Sequence, residues 1–302
     1  MTNTTTKTPT PSDSTAPDWF TGALAANHQD GSVTVDGTEI TYRTWGNPTQ
    51  RGLLLVHGGG AHLHWWDFIA PLLADDYYVV AIDLGGMGDS GRRSEYTAES
   101  YIAEVVAVAD ACGLDHQAVL AGHSMGGAIS LRVAVARPER FSHLVMLDSP
   151  LRPKSDAQEE SGKARSPFQN KRFYPDFETA VARFRLLPAQ PDTAPWILSF
   201  IAENSLMETD QGWCWKFDDN AFKTRMFGQG SELIDQLTVP LAIVYGQLSK
   251  FFDAETLEYM SKVLPESTPL VAIPEAHHHL FLDQPLAFVA TIRALLSTWA
   301  NR

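Results

Sequence analysis

The chain has 302 residues, 44% of them hydrophobic and 20% charged, an ordinary composition for a soluble globular protein. That length suits one large domain or a core carrying an insertion, and it buries a sizeable interior without staples. Its 36 acidic against 23 basic residues give a formal charge of −13. This argues against nucleic acid as a partner and against attachment to an anionic membrane surface, since both need a basic face.

Residues 1–18, beginning MTNTTTKTPTPSDST, are rich in Thr, Ser and Pro. They lack the apolar stretch of a secretory signal and read as a disordered tail. No run approaches the roughly 18 apolar residues of a membrane span. Cys112 and Cys214 are the only cysteines. One disulfide is possible, but no framework is implied, and a cytoplasmic, reducing setting is the simpler expectation.

Alternation from Ser32 to Tyr42 around Asp36-Gly37 predicts a hairpin. Gly52–Val56 is a short continuous apolar run, which suits a strand buried on both faces of a parallel sheet. It ends in His57-Gly58-Gly59-Gly60. Tyr77–Ile82 is a second such run, followed by Asp83-Leu-Gly-Gly-Met-Gly-Asp-Ser90. Helical spacing over Tyr101–Cys112 stops at Gly113. Ala118–Ala121 then reads as a strand, Gly126–Ala136 as a helix and Leu144–Leu147 as a strand ending at Asp148.

From Leu151 to about Thr238 no strand-like run appears, and helical pieces such as Phe177–Leu186 and Pro195–Leu206 alternate with charged and Pro-rich ones. Strands resume at Leu241–Tyr245 and Leu270–Ile273, with helices at Ala254–Leu264 and Pro285–Trp299. Alternating strand and helix predicts an α/β fold with a doubly wound, mostly parallel sheet. The core covers 19–150 and 239–302, and 151–238 forms an inserted helical lid.

Gly122-His123-Ser124-Met125-Gly126 fits the G-x-S-x-G elbow, and it lies between a predicted strand and a predicted helix, the context that motif requires. A tight turn there projects the Ser124 hydroxyl from the sheet edge. The helix behind it offers a positive potential to a developing oxyanion. With His57-Gly58-Gly59, the Asp83–Ser90 segment and Ala276-His-His-His-Leu-Phe-Leu-Asp-Gln-Pro285, the chain resembles the α/β-hydrolase superfamily from about residue 30 to its end.

The resemblance implies Ser124 as nucleophile and an oxyanion hole built from the amides of Met125 and Gly59, with Gly60 as the alternative to Gly59. It implies His278 as base, counted back from both Asp283 and Pro285, although His277 stands where relatives carry glycine. His57 is expected to brace its loop. The usual acid position, three residues after Gly246, holds Ser249. Either Asp148, at the end of the preceding core strand, or Asp253 then supplies the carboxylate, or His278 has no carboxylate partner. The run His277-His278-His279 suggests no metal, because adjacent side chains diverge and no further ligand pair is evident. No cofactor is implied.

Trp196, Trp213, Trp215 and Phe217 in the insertion suggest an apolar pocket for a small-molecule substrate. The expected reaction is hydrolysis of carboxylic esters with small to medium apolar acyl groups, through an acyl-enzyme. Carbon–carbon bond hydrolysis of diketone-type substrates, or ligand binding by a protein with a weak triad, are the alternatives. Oligomeric state is not legible.

Overall fold

The structure, a computed structural model, describes residues 15–152, 171–222 and 230–299. Most of the expected tail therefore lies outside the described residues, as do 153–170 and 223–229 of the expected lid. The tail's last position differs from expectation, because Asp18 already opens helix α1, Asp18–Leu24, which buries Phe20 and Ala23.

An eight-stranded sheet forms the core. Strands β1, Gln29–Val35, and β2, Thr38–Trp45, pair antiparallel across Asp36-Gly37. Both turn residues have positive φ, 48° and 76°, as a two-residue hairpin with right-handed strand twist requires. Strands β3, Gly52–Val56, and β4, Tyr78–Ile82, follow, then β5, Val119–His123, and β6, His143–Leu147. Strands β7, Leu206–Thr209, and β8, Gly212–Trp215, lie outside this sheet. Strands β9, Leu241–Gly246, and β10, Leu270–Ile273, complete it. The order is β1-β2-β4-β3-β5-β6-β9-β10, with every pair from β4 to β10 parallel. This is the doubly wound, mostly parallel arrangement the apolar runs predict.

Those runs are continuous because each strand feeds two cores. Leu53 and Leu55 of β3 face one layer, with Trp66, Phe281 and Phe288, whereas Leu54 and Val56 face the other, with Tyr101, Val105 and Ile129. Helices α2, Ala98–Ala111, and α3, Met125–Ala136, cover the second face. Thr97 caps α2 by accepting from the Ser100 N–H, and Ser100 returns the contact to the Thr97 N–H.

The segment between β6 and β9 is not purely helical. Helices α4, Phe177–Ala182, and α5, Pro195–Asn204, are followed by an antiparallel hairpin, β7, Leu206–Thr209, and β8, Gly212–Trp215. Four-residue strands are too short to show a period in sequence, and they gain order from outside the hairpin. Trp213 bridges to Tyr174, and Lys216 and Asp218 bond backbone to backbone with Gly88 and Gly86 of the loop after β4.

Beyond this segment come α6, Ala254–Val263, the short α7, Leu280–Asp283, and α8, Pro285–Trp299. Among the described residues no helix is long and apolar enough to cross a membrane. Cys112 and Cys214 are both free thiols.

Candidate active site

The candidate residues gather at the carboxyl edge of the sheet, where an open α/β fold leaves room for a ligand. Each stands one residue or a short loop beyond its strand. The Ser124 N–H bonds the Leu147 carbonyl at 2.9 Å, and the Asp148 N–H bonds the Val244 carbonyl at 2.8 Å. The ladder thus runs one step past β5 and β6 and holds both residues at the same edge.

Ser124 has φ 52° and ψ −117°, a conformation that costs a non-glycine residue roughly 1–3 kcal/mol. Its neighbours explain how so sharp a turn fits. A Cβ on Gly122 would lie 2.3 Å from the Gly126 carbonyl oxygen, and one on Gly126 would lie 2.4 Å from that of His57. Both contacts are with backbone that cannot swing aside, so glycine is required on each side. Ser149, unassigned in the sequence reading, adds a brace by donating its hydroxyl to the Ser124 carbonyl at 2.8 Å.

Ser124 Oγ stands 3.0 Å from His278 Nε2, and His278 Nδ1 stands 2.7 Å from Asp148 Oδ1. A carboxylate only accepts, so Nδ1 carries the proton and Nε2 is left to accept the serine hydroxyl. Asp148 is fully buried and itself has φ 44°. It takes two more donors. The Ser249 hydroxyl donates to Oδ1 at 2.7 Å, and the Gly246 N–H donates to Oδ2 at 2.8 Å. Ser249, at the usual acid position, thus hydrogen-bonds the same carboxylate oxygen that His278 Nδ1 contacts. Asp253 is exposed and caps α6, accepting from the Thr256 N–H at 2.8 Å, and has no contact with His278.

The loop after β3 is fixed by His57, which is buried. Its Nδ1 donates to the Gly58 carbonyl at 2.8 Å, and its Nε2 accepts from the Leu84 N–H at 3.1 Å. Burial pushes its pKa down to about 4, so it stays neutral at physiological pH. Gly59 lies against Met125: a Cβ on it would sit 3.5 Å from the methionine sulfur. Gly59, Met125, Ser124 and His278 share one cavity of about 420 Å³, walled by Trp65, Phe222 and Phe251. Gly60 lines a neighbouring pocket instead. Met125 is the first residue of α3, where an N–H has no acceptor within the helix.

Folding brings a fourth histidine, His123, up to the run His277-His278-His279. His123, inside the elbow, is buried and bonds the His278 carbonyl through Nε2 at 3.0 Å, bracing the loop that carries His278. His277 is held through its N–H and Nδ1 by Asp283 Oδ2. Asp283 Oδ1 also accepts from Gln190 and Thr193, which fastens the β6–β9 segment to this loop. The expectation that adjacent rings diverge needs correction, because one ligand atom each of His123, His278 and His279 lies within 4.8 Å of the others. The short turn into α7 folds the chain back and brings the rings side by side. Both nitrogens of His278 are already engaged by Ser124 and Asp148, so an ion there would displace one of them.

Other residues near the site play supporting parts. His62 is buried, with Nε2 at 2.8 Å from the Ser205 hydroxyl, whose own proton goes to the Ile201 carbonyl. Trp66 is fully buried in the core, while Trp65 reaches the cavity. Asp83 organises the loop after β4 by accepting from the Leu63 and Asp89 N–H groups. Burial raises its pKa to about 6 despite those donors.

Comparison with known proteins agrees with this architecture. The family model for the alpha/beta hydrolase fold matches residues 53–285. An uncharacterized hydrolase of Bacillus subtilis is 39% identical over 122 residues, 38% of this chain and 43% of its own length. The chain thus spans less than half of that relative. It is 25% identical to the pimeloyl-(acyl-carrier protein) methyl ester esterase of Aliivibrio fischeri, over 87% of this chain and 99% of that one. Among solved structures, the thioesterase domain from the curacin biosynthetic pathway superimposes with a TM-score of 0.74 and 25% identity, covering 88% of this chain and 99% of that domain. With its family model running from β3 through β10 to the first residue of α8, the chain belongs to the alpha/beta hydrolase fold family and is a hydrolase.

Proposed function

We propose that the chain hydrolyses carboxylic esters through a Ser124–His278–Asp148 triad. The carrying observation is the unbroken hydrogen-bond chain from Ser124 Oγ through His278 to Asp148, with each proton position dictated by the carboxylate at its end. As Ser124 attacks the ester carbonyl, His278 Nε2 takes the hydroxyl proton. Asp148 stabilises the imidazolium without itself becoming protonated. The tetrahedral oxyanion is held by the N–H groups of Gly59 and Met125, at the positive end of α3. Collapse expels the alcohol, which leaves with the proton from His278. A water deprotonated by His278 then attacks the acyl-enzyme, and the acid departs as Ser124 regains its proton.

The cavity at Ser124 is lined mainly by apolar and aromatic groups, which supports small to medium apolar acyl chains. The Aliivibrio fischeri relative, named for methyl ester cleavage, supports the ester linkage. We assign the described part of 151–238 as a lid, since its backbone is fastened to the loop after β4 and Leu187 and Phe222 close over the same cavity. Hydrolysis of p-nitrophenyl butyrate by wild type, with a loss of about 10³-fold or more in Ser124→Ala, is the expected result. Equal rates in the two proteins would refute the serine mechanism.

A further inference from the structure

A second pocket, of about 350 Å³, adjoins the cavity at Ser124 and shares Gly59, Trp65 and Leu187 with it. The two differ in chemistry. The cavity at Ser124 has no Lys, Arg, Asp or Glu among its lining residues. The second pocket is lined by Lys171, Arg172, Arg183, Arg185 and Lys216, with no Asp or Glu among its lining residues, although the Lys171 N–H donates to Asp219 Oδ2 at 2.9 Å beside it. This gathering occurs in a chain whose formal charge is −13.

Lys216 is paired with Asp89 at 2.7 Å. Arg185 turns one guanidinium nitrogen to the Ala182 and Phe184 carbonyls. Among the described residues, Lys171, Arg172 and Arg183 make no ion pair. Like charges drawn together beside aromatic walls repel one another, and the arrangement favours an anion that enters between them. Arginine stays charged at every working pH and matches the oxygens of carboxylate and phosphate in a fixed fork. Tyr174 and Trp215 supply the apolar side of the same pocket.

We propose that this pocket is an anion-binding subsite, and that the preferred substrate is an ester with a carboxylate or phosphate group beyond the scissile bond. The neutral, reacting half occupies the cavity at Ser124, and the charged end lies between Arg172 and Arg183. This rests on Ser124 as the nucleophile, so the test separates the two ideas.

Mono-p-nitrophenyl esters of succinic, adipic and suberic acids, and p-nitrophenyl esters of ω-phosphonoalkanoic acids, are compared with their methyl-capped neutral counterparts at low ionic strength. The expected result is a kcat/KM about tenfold or more higher for the best anionic ester, carried by KM and reduced by salt. The carboxylate and phosphonate series then tell which anion is preferred. In the double variant Arg172→Gln/Arg183→Gln the preference falls by about tenfold, while neutral esters react within about twofold of wild type. A preference absent from wild type, or unchanged in the double variant, overturns the subsite. If wild type fails to cleave even neutral esters, the serine mechanism fails. The subsite is then judged by calorimetry with the corresponding unreactive amides: anionic amides binding wild type more tightly than the double variant support it, and equal binding overturns it.

Discussion

Replacing Asp148 by Asn keeps the shape of the side chain and exposes what its charge does. Oδ2 faces the Gly246 N–H, a donor that cannot be reversed, while Oδ1 faces His278 Nδ1 and the Ser249 hydroxyl. An Asn can satisfy Gly246 only by turning its carbonyl there. Its NH₂ then points at His278 Nδ1, which must become an acceptor, so the imidazole proton moves to Nε2 and can no longer take a proton from Ser124. The opposite rotamer preserves the histidine but sets two donors head to head in a fully buried site, at about 1–3 kcal/mol. The first rotamer is therefore favoured, and the folded protein carries the wrong tautomer. A loss of about 10⁴ in kcat follows, some 5 kcal/mol of transition-state stabilisation. Steady-state hydrolysis of p-nitrophenyl butyrate reads it, with circular dichroism confirming the fold. Asp253→Asn, on an exposed helix cap, should react as wild type does. Near-full kcat in Asp148→Asn together with a large loss in Asp253→Asn would refute the reasoning.

Ser249→Ala removes one of the three donors to a buried carboxylate, and kcat should fall by about tenfold, with recovery in Ser249→Thr. Unchanged kcat in Ser249→Ala would show that Gly246 and His278 hold Asp148 unaided. Burial opposes charge on His64, but Asp67 at 2.7 Å and Asp89 at 3.9 Å outweigh it and hold its pKa up at about 9. Because the folded value is raised, this contribution is complete below the unfolded value near 6.5 and is lost as pH rises through about 9. Its ceiling is about 3 kcal/mol. Urea melts of wild type and His64→Gln should differ more at pH 6 than at pH 10, and an equal difference at both would contradict the pairing.

The fold was legible because buried parallel strands advertise themselves. Leu53 to Val56 must be apolar at every position, since alternate side chains enter different cores. The elbow was legible for a similar reason, its glycines being forced by backbone contacts within a short stretch and one neighbouring loop. Legibility falls where a role depends on residues far apart in the chain. Asp148 and Ser249 are 101 positions apart, and neither sequence neighbourhood announces that one holds the other. His123 braces the His278 loop across 155 positions. Composition as a whole gave no hint of a cationic pocket, because an excess of surface acids hides five basic residues brought together by folding.

In the proposed mechanism Ser124 is the residue that becomes acylated. Intact-mass and peptide mass spectrometry after treatment with a fluorophosphonate tests it most directly. One adduct is expected, on Ser124, formed in parallel with loss of ester hydrolysis and absent from both Ser124→Ala and the acid-denatured protein. An adduct on any other residue that abolishes hydrolysis, or full hydrolysis with Ser124 modified, would contradict it.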